Sequence, residues 1–196
     1  MTDLTVIDAM RDDLLAGNQT RLAAPFLARG LRPPVVRWNP APDELPTQQL
    51  PFLLRHWMAL RDRHGTVRPE HIDPLELRPA LGYILLLDVL EDGADYRYRL
   101  YGSEVARIAS FDMTGKRTSE MATGSLASDF YLAIYRAMLR RPEPVYSWHE
   151  MPMEITINSW DRIVLPLWDA EGRIARIITC NVPGLPVPVP PKALAP

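Results

Sequence analysis

The chain has 196 residues with a formal net charge of −2, and 47% of them are hydrophobic against 23% charged. That length suits one domain with flanking segments, and the balance is that of an ordinary globular protein. The near-neutral charge excludes a strong field for nucleic acid or an anionic membrane, and the lone Cys180 excludes an intramolecular disulfide and a zinc ribbon.

The first residues carry Asp3, Asp8, Asp12 and Asp13, with no basic-then-apolar leader. Residues 4–16 suit a helix, because Ile7, Met10 and Leu14 fall at i, i+3 and i+7 on one narrow stripe. A helix this short needs a partner surface in water. The stripe therefore packs back on the domain or pairs with a second copy. Seven prolines follow between Pro25 and Pro51, which reads as a linker or wrapping arm. Together these make an N-terminal segment over residues 1–49.

The central domain is expected over residues 50–182. Its first helix starts near Pro51, buries Leu53, Leu54, Trp57 and Leu60, and stops at Gly65. His56 and His64 lie eight apart on it, too far to share one metal unaided, so both are read as surface residues. Asp73 before Pro74 reads as a helix cap, followed by a short helix through Leu75, Leu77 and Leu81. Strand-like runs follow at Tyr83–Leu90 and Tyr96–Tyr101. The first is too short to span a bilayer and contains Asp88. In the second, simple alternation puts Tyr96, Tyr98 and Leu100 on one face and Arg97, Arg99 and Tyr101 on the other. Arg99 then lies near a sheet edge, suited to anchoring a helix or binding a ligand anion through its planar fork.

Ser103 is placed to cap a short helix over Glu104–Ala109, and Asp112–Gly115 makes a turn without the glycine count or lysine of a phosphate loop. A long helix from about Ser125 to Arg141 buries Leu126, Phe130, Ala133, Ile134, Ala137 and Met138. Strands follow at Val145–Met151, Asp161–Trp168 and Ile174–Val182, the last two joined by a hairpin turn at Asp169–Gly172. Residues 183–196, PGLPVPVPPKALAP, read as an extended proline-rich tail.

Several of these pieces are similar, in order and spacing, to the divergent bacterial PAS-domain proteins, which are small and often stand alone. They are Trp57-Met58-Ala59-Leu60-Arg61, Ile72-Asp73-Pro74, Leu86-Leu87-Asp88-Val89, Tyr96 through Ser103, Met113-Thr114-Gly115-Lys116, Trp160-Asp161-Arg162 and Leu165-Pro166-Leu167. The resemblance covers roughly residues 50–182. It implies an α+β fold: a five-stranded antiparallel sheet with helices on one face, flanked by the N-terminal helix and proline-rich arms. It implies a regulatory role in cytoplasmic signal transduction and carries over no catalytic residues.

On that fold, a ligand pocket would lie between the sheet and the short helices. The candidate lining is Leu86, Tyr98, Arg99, Leu100, Val105, Ile108, Phe130, Ile134, Trp148 and Leu165. A photoactive flavin domain of this kind needs a helical Asn-Cys-Arg motif, whereas Cys180 lies in the last strand. A haem needs an axial ligand, and His149 is read as a strand histidine instead. The cofactor is therefore unassigned, and no metal site is expected. Three functions stay open: a sensor or adaptor that binds a small ligand and a signalling partner; an isomerase- or dehydratase-like enzyme using Asp88, Tyr98 and His149; or a ligand-free interaction protein. A homodimer is expected, without nucleic-acid or membrane binding.

Overall fold

The computed structural model describes residues 3–121, 125–153, 156–184 and 187–188. Two helices open the chain, α1 (Leu4–Leu15) and α2 (Thr20–Leu27), followed by strand β1 (Val35–Trp38) and helix α3 (Gln49–His64). Next come β2 (Ile84–Leu90), β3 (Asp95–Tyr101), α4 (Ser103–Ala109) and α5 (Ser125–Arg140). The chain then runs through β4 (Val145–Met153), β5 (Thr156–Trp168), β6 (Ile174–Pro183) and β7 (Val187–Pro188).

All seven strands form one antiparallel sheet in the order β1-β4-β5-β6-β2-β3, with β7 added on β5. The five strands expected from sequence are present. The two additions fall in stretches where proline obscures the alternation. β1 lies in the proline-rich arm and pairs Val35 with Trp148 and Trp38 with Val145. In the tail, Val187–Pro188 pairs with Thr156–Ile157, while residues 189–196 lie outside the described residues.

The sheet has two apolar faces. On one, α1, α2, α4 and α5 close a core that includes Ile7, Phe26, Tyr98, Val105, Phe130, Ile134, Val164 and Ile177. On the other, α3 packs Leu50, Leu53, Leu54, Trp57 and Leu60 against Ile163, Leu165, Leu167, Ile178 and Cys180. Helices therefore cover both faces instead of one, because β5 and β6 carry apolar residues at consecutive positions and each face needs a cover.

The stripe of α1 packs back on its own domain. Ile7, Met10 and Leu14 are buried against the core, and Asp8 pairs with Arg136 of α5 at 2.6 Å. The 73–81 stretch is a run of turns, with Asp73 Oδ1 accepting from the Leu75 amide at 2.8 Å, so the expected helix there does not form. At α4 the cap position is Gly102, and Ser103 is the first helical residue. A side chain at Gly102 would stand 2.3 Å from the Gly82 carbonyl oxygen, so only glycine lets these two segments approach.

In β3 the alternation changes phase. Leu86 pairs with Leu100 and Leu87 with Tyr98, which leaves Arg99 as an extra, unpaired residue. This bulge turns Leu100 onto the α3 face and brings Tyr101 onto the same face as Tyr96 and Tyr98. The Tyr98 and Tyr101 rings meet at 5.4 Å. The free edge of β3 is covered by the following loop. The Tyr98 amide donates to Lys116 O at 3.0 Å, and the Gly115 amide to Tyr98 O at 2.7 Å.

Pro166 sits in the interior of β5, at a position where strand pairing is not broken. The β4 ladder ends at Val145 opposite Val164, so the missing N–H of Pro166 faces no partner strand. Its carbonyl accepts a 3.0 Å hydrogen bond from Trp57 Nε1, which ties α3 to the sheet. Trp57→Phe strands that buried carbonyl. We expect it to cost about 1–3 kcal/mol of stability, read as a lower urea midpoint at unchanged denaturant slope.

Candidate functional site

The residues that point from β4, β5 and β6 toward α5 follow a strict period of two. On β5 they are Trp160, Arg162 and Val164; Arg162 lies directly opposite Ser147 on β4 and Asn181 on β6. His149, two residues along β4 from Ser147, belongs to the same layer. Arg162, Ser147 and His149 are each 0% exposed.

Arg162 is therefore a cation held in the interior of the protein. Its Nη2 donates to the Tyr135 hydroxyl at 2.6 Å and its Nε to Asn181 Oδ1 at 3.3 Å. The guanidinium carbon lies 4.0 Å from the centre of the Tyr131 ring and 5.5 Å from that of Tyr135. Tyr131 and Tyr135 stand four residues apart on α5, so one helical turn presents both rings to the cation. Thr179 Oγ1 donates to Asn181 Oδ1 at 2.6 Å, which fixes the amide oxygen toward the arginine. Among the described residues, no carboxylate forms an ion pair with Arg162.

The Tyr131 hydroxyl meets His149 Nε2 at 3.1 Å, and the Phe130 ring packs 4.7 Å from the imidazole. Burial, with the Arg162 charge adding to it, holds His149 well below the usual imidazole range, so the ring is neutral. Burial likewise pushes the Tyr131 phenol up to about 12. Three buried polar atoms of this layer have no partner: Arg162 Nη1, Ser147 Oγ and His149 Nδ1. Native interiors rarely leave such groups unmade.

A cavity of about 30 Å³ adjoins the layer. Its sheet wall includes Leu85, Tyr98, Tyr101, Met151, Trp160 and Asn181, its helix wall Val105, Ala109, Ala127 and Tyr131, and Phe111 and Met121 also line it. Trp160 and Met151 are the same-face neighbours of Arg162 and His149, one step along their strands. No carboxylate lines this cavity. A larger apolar groove of about 500 Å³ lies between α1, α2 and α5, lined by Val6, Met10, Leu22, Phe26, Phe130 and Asp129 among others.

The sequence-derived lining divides between the two faces. Tyr98 and Val105 line the inner cavity. Ile108, Phe130 and Ile134 pack in the same core, with Phe130 also reaching the α1–α2 groove. Leu86 and Leu100 instead line a separate apolar recess of about 110 Å³ on the α3 face. Leu165 and Trp148 also face α3, and Trp148 is covered by the Arg32 guanidinium at 4.5 Å. Arg99 is exposed and pairs with Asp88 at 2.7 Å, an anchoring contact away from the cavity. The bulge and the two-sided sheet together account for this division.

The residues considered for an enzyme are not assembled. Asp88 lies on the α3 face of β2 and pairs with Arg99 and Arg176, whereas Tyr98 and His149 lie on the other face. Cys180 is buried on the α3 face, away from the cavity, and burial raises its thiol. His56 approaches Glu76 at 3.8 Å, while His64 stacks on His71 at 4.0 Å. Among the described residues no group of three or more His, Cys, Asp and Glu side chains could hold a metal ion, and no helix is long and apolar enough to cross a membrane.

Sequence reasoning missed Arg162, Ser147, Tyr131, Tyr135 and Asn181. The available signal was an arginine in phase with Val164 inside an apolar strand, facing tyrosines spaced four apart on the long helix.

A family model described as PAS domain matches residues 46–181. No curated protein and no solved structure matches the chain.

The neutral burial of His149 makes stability depend on pH. The unfolded chain protonates this ring near its ordinary value of 6.5, and the folded chain does not. Unfolding therefore takes up a proton as pH falls; stability is complete above that value and is lost below it. We expect chemical denaturation between pH 7 and 5 to show a loss approaching about 1.4 kcal/mol per pH unit below the unfolded pKa, and His149→Gln to flatten that slope.

Proposed function

The chain belongs to the PAS domain family, and on that premise we propose that it is a sensor or adaptor module of bacterial signal transduction. A small ligand enters the inner cavity beside Arg162 and alters the module's contacts with a protein partner. The module works in the cytoplasm and has no catalytic activity of its own. The observation that carries this reading is the set of three unpartnered, fully buried polar atoms on one face of the sheet, next to a cavity. Such atoms are costly when left unmade and give a ligand its specificity when they are met.

A physical route leads outward from this layer. Tyr135 bonds Arg162, and its neighbour Arg136 on α5 bonds both Asp8 of α1, at 2.8 Å, and the Gly93 carbonyl, at 2.6 Å. A shift of the tyrosines therefore moves the helix turn that holds α1. The outer surface of that unit exposes Leu4, Val6 and Leu27, at 40%, 47% and 57% of their full exposure. This is the surface we assign to a partner or to a second copy.

The small size of the cavity favours one second reading, a ligand-free interaction protein whose aromatic core is only structural. Native mass spectrometry of the purified full chain separates the two. We expect a folded dimer carrying a small species that is lost on denaturation. The bare chain mass in every folded charge state overturns the ligand reading. Val6→Asp with Leu27→Asp should shift the mass by light scattering to that of a monomer; an unchanged dimer removes this surface from the assignment.

A further inference from the structure

Resting on the reading of the inner cavity as a ligand site, we propose that its ligand is a small monovalent planar oxyanion, a carboxylate or a nitrate-like ion, received by Arg162, Ser147 and His149. Arg162 brings a full positive charge into the interior, where an unpaired ion is strongly disfavoured. Its described partners are all neutral: a phenol oxygen, an amide oxygen and two aromatic faces. Arginine recognises oxyanions through charge-assisted hydrogen bonds, and the Nη1 atom remains free to make one.

The neighbouring groups point to the same chemistry. Ser147 stands directly opposite Arg162 across the β4–β5 ladder, so the two side chains project side by side. His149 is neutral, and we assign it the tautomer in which the Tyr131 hydroxyl donates to Nε2 and the ring proton sits on Nδ1. In that tautomer the three unpartnered atoms are three donors: a guanidinium N–H, a hydroxyl and an imidazole N–H. Three groups able to donate, beside one uncompensated cation, fit an anion and do not fit a cation or an apolar molecule.

Charge and space set the ligand's size. One cation and a neutral histidine balance a single negative charge. Nε and Nη2 each hold one protein partner, and Nη1 is the guanidinium nitrogen left wholly to the anion. Asn181 and Tyr131, which both touch Arg162, line the cavity, so an anion there rests against the groups that hold the guanidinium. The cavity volume of about 30 Å³ suits a few non-hydrogen atoms, not a sugar phosphate or a fatty acid. Met121 and Met151 in its wall are flexible enough to adjust to the ion.

The test is a titration of the full-length protein followed by its backbone amide NMR signals. Formate, nitrate and the neutral formate isostere formamide are added separately. Ionic strength is held constant with a bulky sulfonate too large for the cavity. We expect saturable shifts at Ser147, His149, Arg162 and Asn181 with the anions and none there with formamide. Affinity should fall at least tenfold in Arg162→Met and severalfold in Ser147→Ala; Ser147→Ala keeps the test open if Arg162→Met does not fold. Tighter binding of formate assigns carboxylates, and tighter binding of nitrate assigns inorganic oxyanions. Equal shifts with formamide, or undiminished anion binding in a folded Ser147→Ala or Arg162→Met protein, overturn the anion inference and leave the cavity reading standing. No shift at these residues with any probe overturns both.

Discussion

The period of two along β5 is the constraint on which the rest of this fold depends. β5 lies between β4 and β6 with α5 over one face and α3 over the other, so its side chains from Arg162 to Leu167 all enter one core or the other. Ile163, Leu165 and Leu167 enter the core under α3, while Trp160, Arg162 and Val164 enter the core under α5. At position 162 the flanking strands and α5 leave no exposed surface. Arg162 is consequently buried by its place in the register, and the interior had to be built around it. Tyr131 and Tyr135 above, with Ser147 and Asn181 to the sides, are the polar and π-bearing groups that this one position requires.

The same constraint explains why α3 and α5 are both indispensable. A sheet with apolar residues at consecutive positions cannot leave a face to solvent, and the long helices cover one face each. The N-terminal arm completes this cover on the α5 side. Its link is specific as well as apolar, since Asp8 answers Arg136, and Gln19 exchanges two hydrogen bonds with the backbone of Val36 at 2.8 and 3.0 Å. The segment ahead of the family match thus contributes a strand and two helices to the structure.

Much of this was readable in the residues, for physical reasons. Five strands and the long helix followed from periodicity, because local sequence and burial agree there. β1 was not readable: its prolines and four-residue length hide the pattern, and its pairing with β4 is a tertiary event. The candidate site was half legible. Alternation and fold likeness point to Tyr98 and Val105, which line the inner cavity, whereas Leu86, Leu100, Trp148 and Leu165 lie on the α3 face. Residues in an all-apolar strand carry no sign of which side they serve, and only the register decides. Arg162 falls in the family-like Trp160-Asp161-Arg162 run, yet nothing local marks it as buried, because an arginine in isolation reads as solvated.

The extra residue in β3 gives position 99 an unusual kind of importance. Its side chain lies at the surface in a salt bridge that contributes little by itself, so its chemical identity is loosely specified. Its presence is another matter, since it sets the phase by which Tyr101 rather than Leu100 faces the aromatic interior. In evolutionary terms the site tolerates replacement but not deletion: a chain one residue shorter would deliver a leucine into the aromatic layer and leave a tyrosine outside it.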